Sequence, residues 1–181
     1  MRCNRNEFIK GGYYHVYNHA TAGELLFREP DDYRYFTRNI IEKAIEMICL
    51  LISWCLMPNH YHFLVRQDGK TPIFKLFNSV IRGYVNHYNF KYERCGRLFN
   101  KLQHRNVIDN KYMLMLCLYI HLNPVKDGFA NEPENWRYSD YCNWVNESKL
   151  LIRDDIFECN GAEYKMLIYD RMKQILEMEV M

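Results

Sequence analysis

The sequence predicts an α+β fold of the ferredoxin-like (RRM-like) kind, βαββαβ. Its four-stranded antiparallel sheet carries both helices on one face, and a further helix and a helical C-terminal tail follow. Three observations lead there. Along residues 11–109 apolar residues switch between strand-like runs and helical spacing in that order. Pro58 and Asn59 divide one apolar stretch into two adjoining strands. The 181 residues, 49% of them apolar, suffice for one domain with a real core.

The first strand is read in GGYYHVYNHATA (11–22), where a glycine pair precedes aromatic and β-branched residues. DDYRYFTRNIIEKAIEMICL (31–50) begins with acids that suit a helix N-terminus and places Tyr35, Ile40, Ile41, Ala44, Ile45 and Ile48 at helical spacing. LISWCLM (51–57) and HYHFLV (60–65) form a hairpin of buried strands around Pro58-Asn59. A second amphipathic helix spans 73–94, with Ile73, Leu76, Phe77, Val80, Ile81, Tyr84 and Val85 on one side. RLFNKLQHRNVID (97–109) supplies the fourth strand. Asp109-Asn110 can cap a third helix, KYMLMLCLYIHLNPV, expected to end or kink where Asn123 precedes Pro124. Beyond it come a loop at NEPENW, an aromatic cluster of Trp136, Tyr138, Tyr141 and Trp144, and a final amphipathic helix near 162–178. The cluster either packs the tail onto the domain or stacks on bases. Residues 1–130 are read as one catalytic-sized domain and 131–181 as an extension packed on it.

No stretch approaches the length of a membrane span and the first residues lack a signal-peptide core, so a soluble, cytoplasmic protein is expected. Seven cysteines without a CxxC pair suit reduced core thiols better than a disulfide frame or zinc ribbon. The net charge of +2 conceals an uneven distribution: sixteen Lys/Arg against ten Asp/Glu in residues 1–109, then eight against twelve. Between Arg66 and Arg105 nine basic residues face only Asp68 and Glu93, which suits either a polyanion partner or a solvated charged face.

In a strand, His60 and His62 project from one face and Tyr61 from the other, so two imidazoles could share one metal or simply be hydrogen-bonded polar residues. Tyr119 and Asn123, four apart, share a helix face, with Tyr112 nearly in line. Among fifteen tyrosines, spacing alone selects no nucleophile.

GGYYHV, MPNHYHFLV, a basic amphipathic helix ending near GRLF, and YIHLNPV, taken together, resemble the IS200-like tyrosine transposases. The branch associated with repeated extragenic palindromes is the most similar, and the resemblance runs from about Gly11 to Trp144. It implies that His60 and His62 are the metal-binding HUH pair, that Tyr119 is the nucleophile, and that Asn123 is a third polar ligand. It further implies Mg²⁺ or Mn²⁺ as cofactor and single-stranded, hairpin or palindromic DNA as partner. The chemistry implied is cleavage and rejoining through a 5′-phosphotyrosine. A monomer is expected over a dimer. Lys75, Arg82, Lys91, Arg94, Arg97, Lys101 and Arg105 are the candidates for holding the DNA backbone. The chain departs from the family pattern at Tyr61, where an aliphatic residue is usual, and at FNKLQHR, where relatives carry a more basic stretch. A non-catalytic nucleic-acid-binding module and a metal-dependent phosphodiesterase without a covalent intermediate are the competing readings.

Overall fold

Because side chains alternate along a strand, the pairing register decides which residues share a face. In the computed structural model, which describes residues 8–146 and 159–179, the strands are β1 (Gly12–His19), β2 (Cys49–Met57), β3 (His60–Gln67) and β4 (Gln103–Val107). They form one antiparallel sheet in the order β2-β3-β1-β4. Tyr14, Val16, Tyr61, Phe63 and Val65 join one apolar cluster with α1 (Pro30–Glu46) and α2 (Ile73–Lys91). Leu64, Val107, Cys55 and Met57 join a second with α3 (Asn110–Lys126) on the opposite face. The predicted α+β architecture, with α1 and α2 on one face and a third helix added, is the observed one.

Strand β2 contributes to both clusters because its parity changes midway. Leu51 pairs with Val65, but the next pair is Ser53 with Leu64, so Ile52 is an extra residue, a β-bulge. Before the bulge Leu51 faces the helices; after it Ser53, Cys55 and Met57 face α3. Two residues, Pro58 and Asn59, close the hairpin. Their carbonyls are themselves anchored, that of Asn59 accepting from Ala20 N at 2.7 Å and that of Pro58 from Leu26 N at 2.7 Å. The start of β3 is therefore pinned to the chain leaving β1.

Helix α1 begins with Pro30 and a reciprocal capping box between Glu29 and Asp32. Asp32 is fully buried and receives bonds from Lys91 Nζ (2.7 Å), Tyr92 Oη (2.7 Å) and the Arg28 and Glu29 amides. Burial opposes its ionisation, yet these donors outweigh burial and hold the carboxyl below its ordinary value. Lys91 also bonds Glu29, so its charge is engaged in joining α2 to α1.

Several boundaries differ from the sequence reading. Helix α1 ends at Glu46 rather than 50, since Ile48 takes a positive φ and Cys49 and Leu50 already belong to β2. The fourth strand is confined to Gln103–Val107; residues 97–102 make only an isolated bridge, Ala20 with Phe99, because the Gly96 turn brings them alongside the exit of β1 rather than its length. Helix α3 does not end at Asn123. It continues through Pro124 to Lys126, where the Asp127 amide still bonds Asn123 O at 2.9 Å, and Asn123 Nδ2 lies 3.5 Å from the Ile120 carbonyl that loses its amide donor at Pro124.

The tail packs on the α3 face and the β2 edge. Leu56 N donates to Tyr138 O (2.8 Å), Trp136 Nε1 to Leu56 O (3.0 Å), and Trp144 Nε1 to Ile52 O (3.0 Å). A single 3-10 turn (Pro133–Asn135) precedes α4 (Tyr141–Val145), and α5 (Gly161–Glu179) lies against both α3 and α4. Residues 147–158 and 180–181 of the expected extension lie outside the described residues. Among the described residues no helix is long and apolar enough to cross a membrane.

Asp32→Ala leaves the Tyr92 hydroxyl and the Arg28 and Glu29 amides without their acceptor and Lys91 with Glu29 alone, and should cost about 3 kcal/mol in urea unfolding at neutral pH. Because the folded carboxyl titrates below its unfolded value of about 4, the deficit should be full above that pH and shrink as pH falls through the depressed value.

Candidate active site

Strand pairing alone gathers four histidines. His60 stands opposite His19 and His62 opposite Tyr17, with His15 one step along β1, so all project from the α3 face. The His60 and His62 rings lie 5.2 Å apart at 76°. His19 stacks on His60 at 5.0 Å, and His15 Nε2 lies 3.0 Å from His62 Nδ1. Tyr61, between the pair, is fully buried against Phe36, Phe63 and Phe77; the departure from an aliphatic residue thus falls on the core side.

The proton positions follow from the partners. Asn59 Oδ1 lies 2.8 Å from His60 Nδ1 and can only accept, so Nδ1 carries the proton and Nε2 keeps a free lone pair. His62 Nδ1 is engaged by His15 Nε2, one ring donating to the other, so the His62 Nε2 takes no part in that bond. Burial, followed by the nearby His15, His60 and His19, pushes His62 down to about 2. His15 is pushed down to about 4 by burial and then by Arg105. His60 is lowered by burial and His19, with Asp127 and Asn123 opposing. All three rings are neutral bases at neutral pH, the form a metal takes up.

Helix α3 brings the remaining pieces. Tyr119 is 41% exposed, and its ring meets the His62 ring edge-on at 5.4 Å. Asn123 donates its Nδ2 to the Tyr119 carbonyl at 2.7 Å, and its side chain is within hydrogen-bonding reach of His60 and of the Tyr119 phenol. Burial first, then Asp127 and Tyr17, raise the phenol above its ordinary value, while Asn123 opposes them. Among the described residues no three His, Cys, Asp or Glu side chains cluster closely enough for a metal. A metal held by His60 and His62 would thus draw a third donor of another kind, for which the neutral amide of Asn123 is within reach of His60. Two oriented imidazoles with one amide oxygen fit a divalent ion of Mg²⁺, Mn²⁺ or Zn²⁺ type.

An open cleft of about 950 Å³ contains these groups together with Arg105, Lys126, Arg171 and, as the one carboxylate among the described residues, Asp127. Asp127 Oδ2 is 3.9 Å from His60 Nε2, and Lys126 Nζ sits 5.7 Å from the Tyr119 ring centre. The structure thus brings together His60, His62, Tyr119, Asn123 and Arg105. It does not bring the other proposed backbone contacts to the cleft. Lys75 and Arg82 are exposed on α2, beyond the sheet, and Arg97 and Lys101 are exposed on the stretch before β4. Lys91 is tied to Glu29 and Asp32, and Arg94 to Glu24 at 2.8 Å.

His121 faces the other way. It is fully buried, with Nδ1 2.7 Å from Tyr164 Oη and Nε2 2.9 Å from Asp140 Oδ1 and 3.1 Å from Ser53 Oγ. A nucleophilic triad needs the serine and the carboxylate on opposite ring nitrogens; here both meet Nε2 and no solvent reaches them. The network fixes α3 to β2 and α5.

No protein-family model matches the chain, and no curated protein is similar to it in sequence. Among solved structures, it superposes on a REP-associated tyrosine transposase bound to a REP hairpin with a TM-score of 0.68, covering 81% of this chain and 86% of that one. The fold is that of a REP-associated tyrosine transposase. At 17% identity the likeness to this transposase is one of architecture. A looser match, TM-score 0.45 at 12% identity, covers 64% of this chain and 93% of a candidate transposase from Deinococcus radiodurans.

Sequence reasoning missed His15, His19, Asn59, Lys126, Asp127 and Arg171. His15 and His19 did carry a signal, since four residues apart on a strand they share a face; Arg171 had none, because its approach depends on how α5 packs. In long-range ¹⁵N–¹H spectra His60 should be the Nδ1–H tautomer, and Asn59→Leu should give a tautomer mixture without loss of fold.

Proposed function

We propose that this chain is a transposase-type nuclease that cuts and rejoins single-stranded DNA with Tyr119 as the nucleophile. The carrying observation is the placement of a half-exposed Tyr119 against His62 and Asn123, in a cleft where Arg105, Lys126 and Arg171 outnumber Asp127. The Tyr119 Oη–P bond forms as the P–O3′ bond breaks, the phenol loses its proton and the departing strand leaves as a 3′-hydroxyl. The resulting 5′-phosphotyrosine keeps the phosphodiester energy for rejoining.

The chain's own groups supply orientation and charge. Asn123 steadies the nucleophile by bonding its carbonyl, and Arg105, Lys126 and Arg171 attract the phosphate backbone. The raised phenol needs a proton acceptor. His121 cannot serve, being sealed on the far side of α3, whereas Asp127 and the His19 ring border the same cleft. His60, His62 and Asn123 would hold a divalent ion, Mg²⁺ or Mn²⁺, which when bound would act as Lewis acid and template for the scissile phosphate. Hairpin DNA is the substrate we favour, since the transposase of like fold was solved on a REP hairpin. One chain supplies both the tyrosine and the imidazoles, so we propose a monomer as the working unit.

The test is a labelled hairpin oligonucleotide with Mn²⁺. A denaturation-resistant protein–DNA adduct should form and fall at least ~1000-fold in Tyr119→Phe, while hairpin affinity stays within about twofold. Cleavage surviving in that variant would point to hydrolysis without a covalent intermediate; binding with no cleavage by the unaltered chain would leave a binding module.

A further inference from the structure

A second cleft, of about 790 Å³, opens on the helix side of the sheet, where α1, α2, β2 and the loop before α4 meet. Its walls are aromatic and basic. Tyr35 of α1 and His87 of α2 stack nearly parallel, 3.9 Å apart at 6°. Tyr138 lies on Tyr33 at 3.6 Å and 9°. Trp54 of β2 also lines the cleft, and Tyr35, Trp54, His87 and Tyr138 all keep part of their surface in solvent.

Cations flank each stack. Arg38 lies 5.8 Å from the Tyr35 ring centre and Arg137 5.4 Å from that of Tyr138. Arg137 makes no ion pair among the described residues, and the pairing of Arg38 with Glu42 is long, 3.9 Å, between side chains both 67% exposed. Arg34 pairs with Asp31 on the exposed face of α1, and Lys91 is tied to the buried Asp32, so Lys91 serves the fold. Among the described residues lining the cleft Asp31 is the one acid, beside Arg34, Arg38, Arg137 and the paired Lys91.

Two short aromatic stacks, each with an arginine beside it, in a groove of positive balance, match what unpaired nucleotides require. A base extends a stack with its flat face, whatever its identity, and the adjoining phosphate meets the guanidinium. An acidic peptide would use the cations but leave the parallel rings without a purpose. We propose that this groove binds unpaired bases of the DNA strand, as a second nucleic-acid site on the face of the sheet opposite Tyr119. The inference rests on the reading of the chain as acting on single-stranded DNA. It gives the tail a part in substrate choice, because Arg137 and Tyr138 lie beyond the predicted catalytic domain. A strand held there is gripped away from its scissile phosphate, so hairpins with an unpaired flank are preferred over blunt ones.

The experiment measures fluorescence anisotropy of a labelled hairpin carrying a single-stranded flank, with full-length protein in EDTA. Abasic positions in the flank should weaken binding about tenfold. His87→Ala and the doubly substituted Arg38→Ala/Arg137→Ala, both at surface positions, should bind the intact flank as weakly and show no further loss with abasic ones. Equal affinities across these proteins would overturn the proposal. So would an abasic penalty that persists in the variants, which would mean charge alone. Adduct formation by Tyr119 is read separately: adduct with no groove effect sinks this inference only, and a groove effect without adduct sinks only the nuclease reading.

Discussion

The antiparallel pairing of β1 with β3 is the constraint from which the site follows. Its register sets His60 against His19 and His62 against Tyr17, and a slip of one residue would turn the histidines of one strand into the core around Phe36 and Phe77. That slip is opposed on both faces. Tyr61 and Phe63 fill the helix-side core, while the Pro58-Asn59 turn is fastened to Ala20 and Leu26. The hydrophobic pattern thus fixes not only the fold but the geometry of polar groups that contribute little to stability themselves.

The second requirement is that α3 hold its height and rotation over the sheet. Apolar packing of Met113, Leu116, Cys117 and Ile120 sets the face, but such contacts tolerate sliding. Directional bonds do not. His121 is held from three sides by Ser53, Asp140 and Tyr164, and Asp140 also accepts the Trp54 amide at 2.7 Å. One carboxylate thereby joins the strand beneath, the tyrosine helix and the start of the tail.

Much of this was legible in the sequence because it rests on local period. The helices at 31–50 and 73–94 and the hairpin around Pro58 lie within a few residues of their observed bounds, and of the two readings of the aromatic cluster, packing is the one that suits the buried Tyr141 and Trp144. The Tyr119–Asn123 spacing and the His60–His62 alternation placed each pair on one face. What could not be read was how elements from distant segments meet. Lys91 and Arg94 look like free cations in a basic run, and only the approach of α1 and the 24–32 segment reveals their partners. The bulge at Ile52 is equally silent in sequence, since an apolar run has no parity to interrupt.

Pro124 carries a consequence of another kind. A proline so near the end of a helix removes one amide and leaves a carbonyl needing a donor, and Asn123 turns its Nδ2 back toward the backbone, bonding Tyr119 O and approaching Ile120 O. An asparagine on an uninterrupted helix would choose freely among rotamers. Here one orientation is favoured by the backbone itself, with the amide nitrogen spent inward and the oxygen left for the cleft. The proline therefore adds a second acceptor on the side that Asn123 Nδ2 already faces, so helix and side chain favour one amide orientation beside Tyr119 before any ligand arrives.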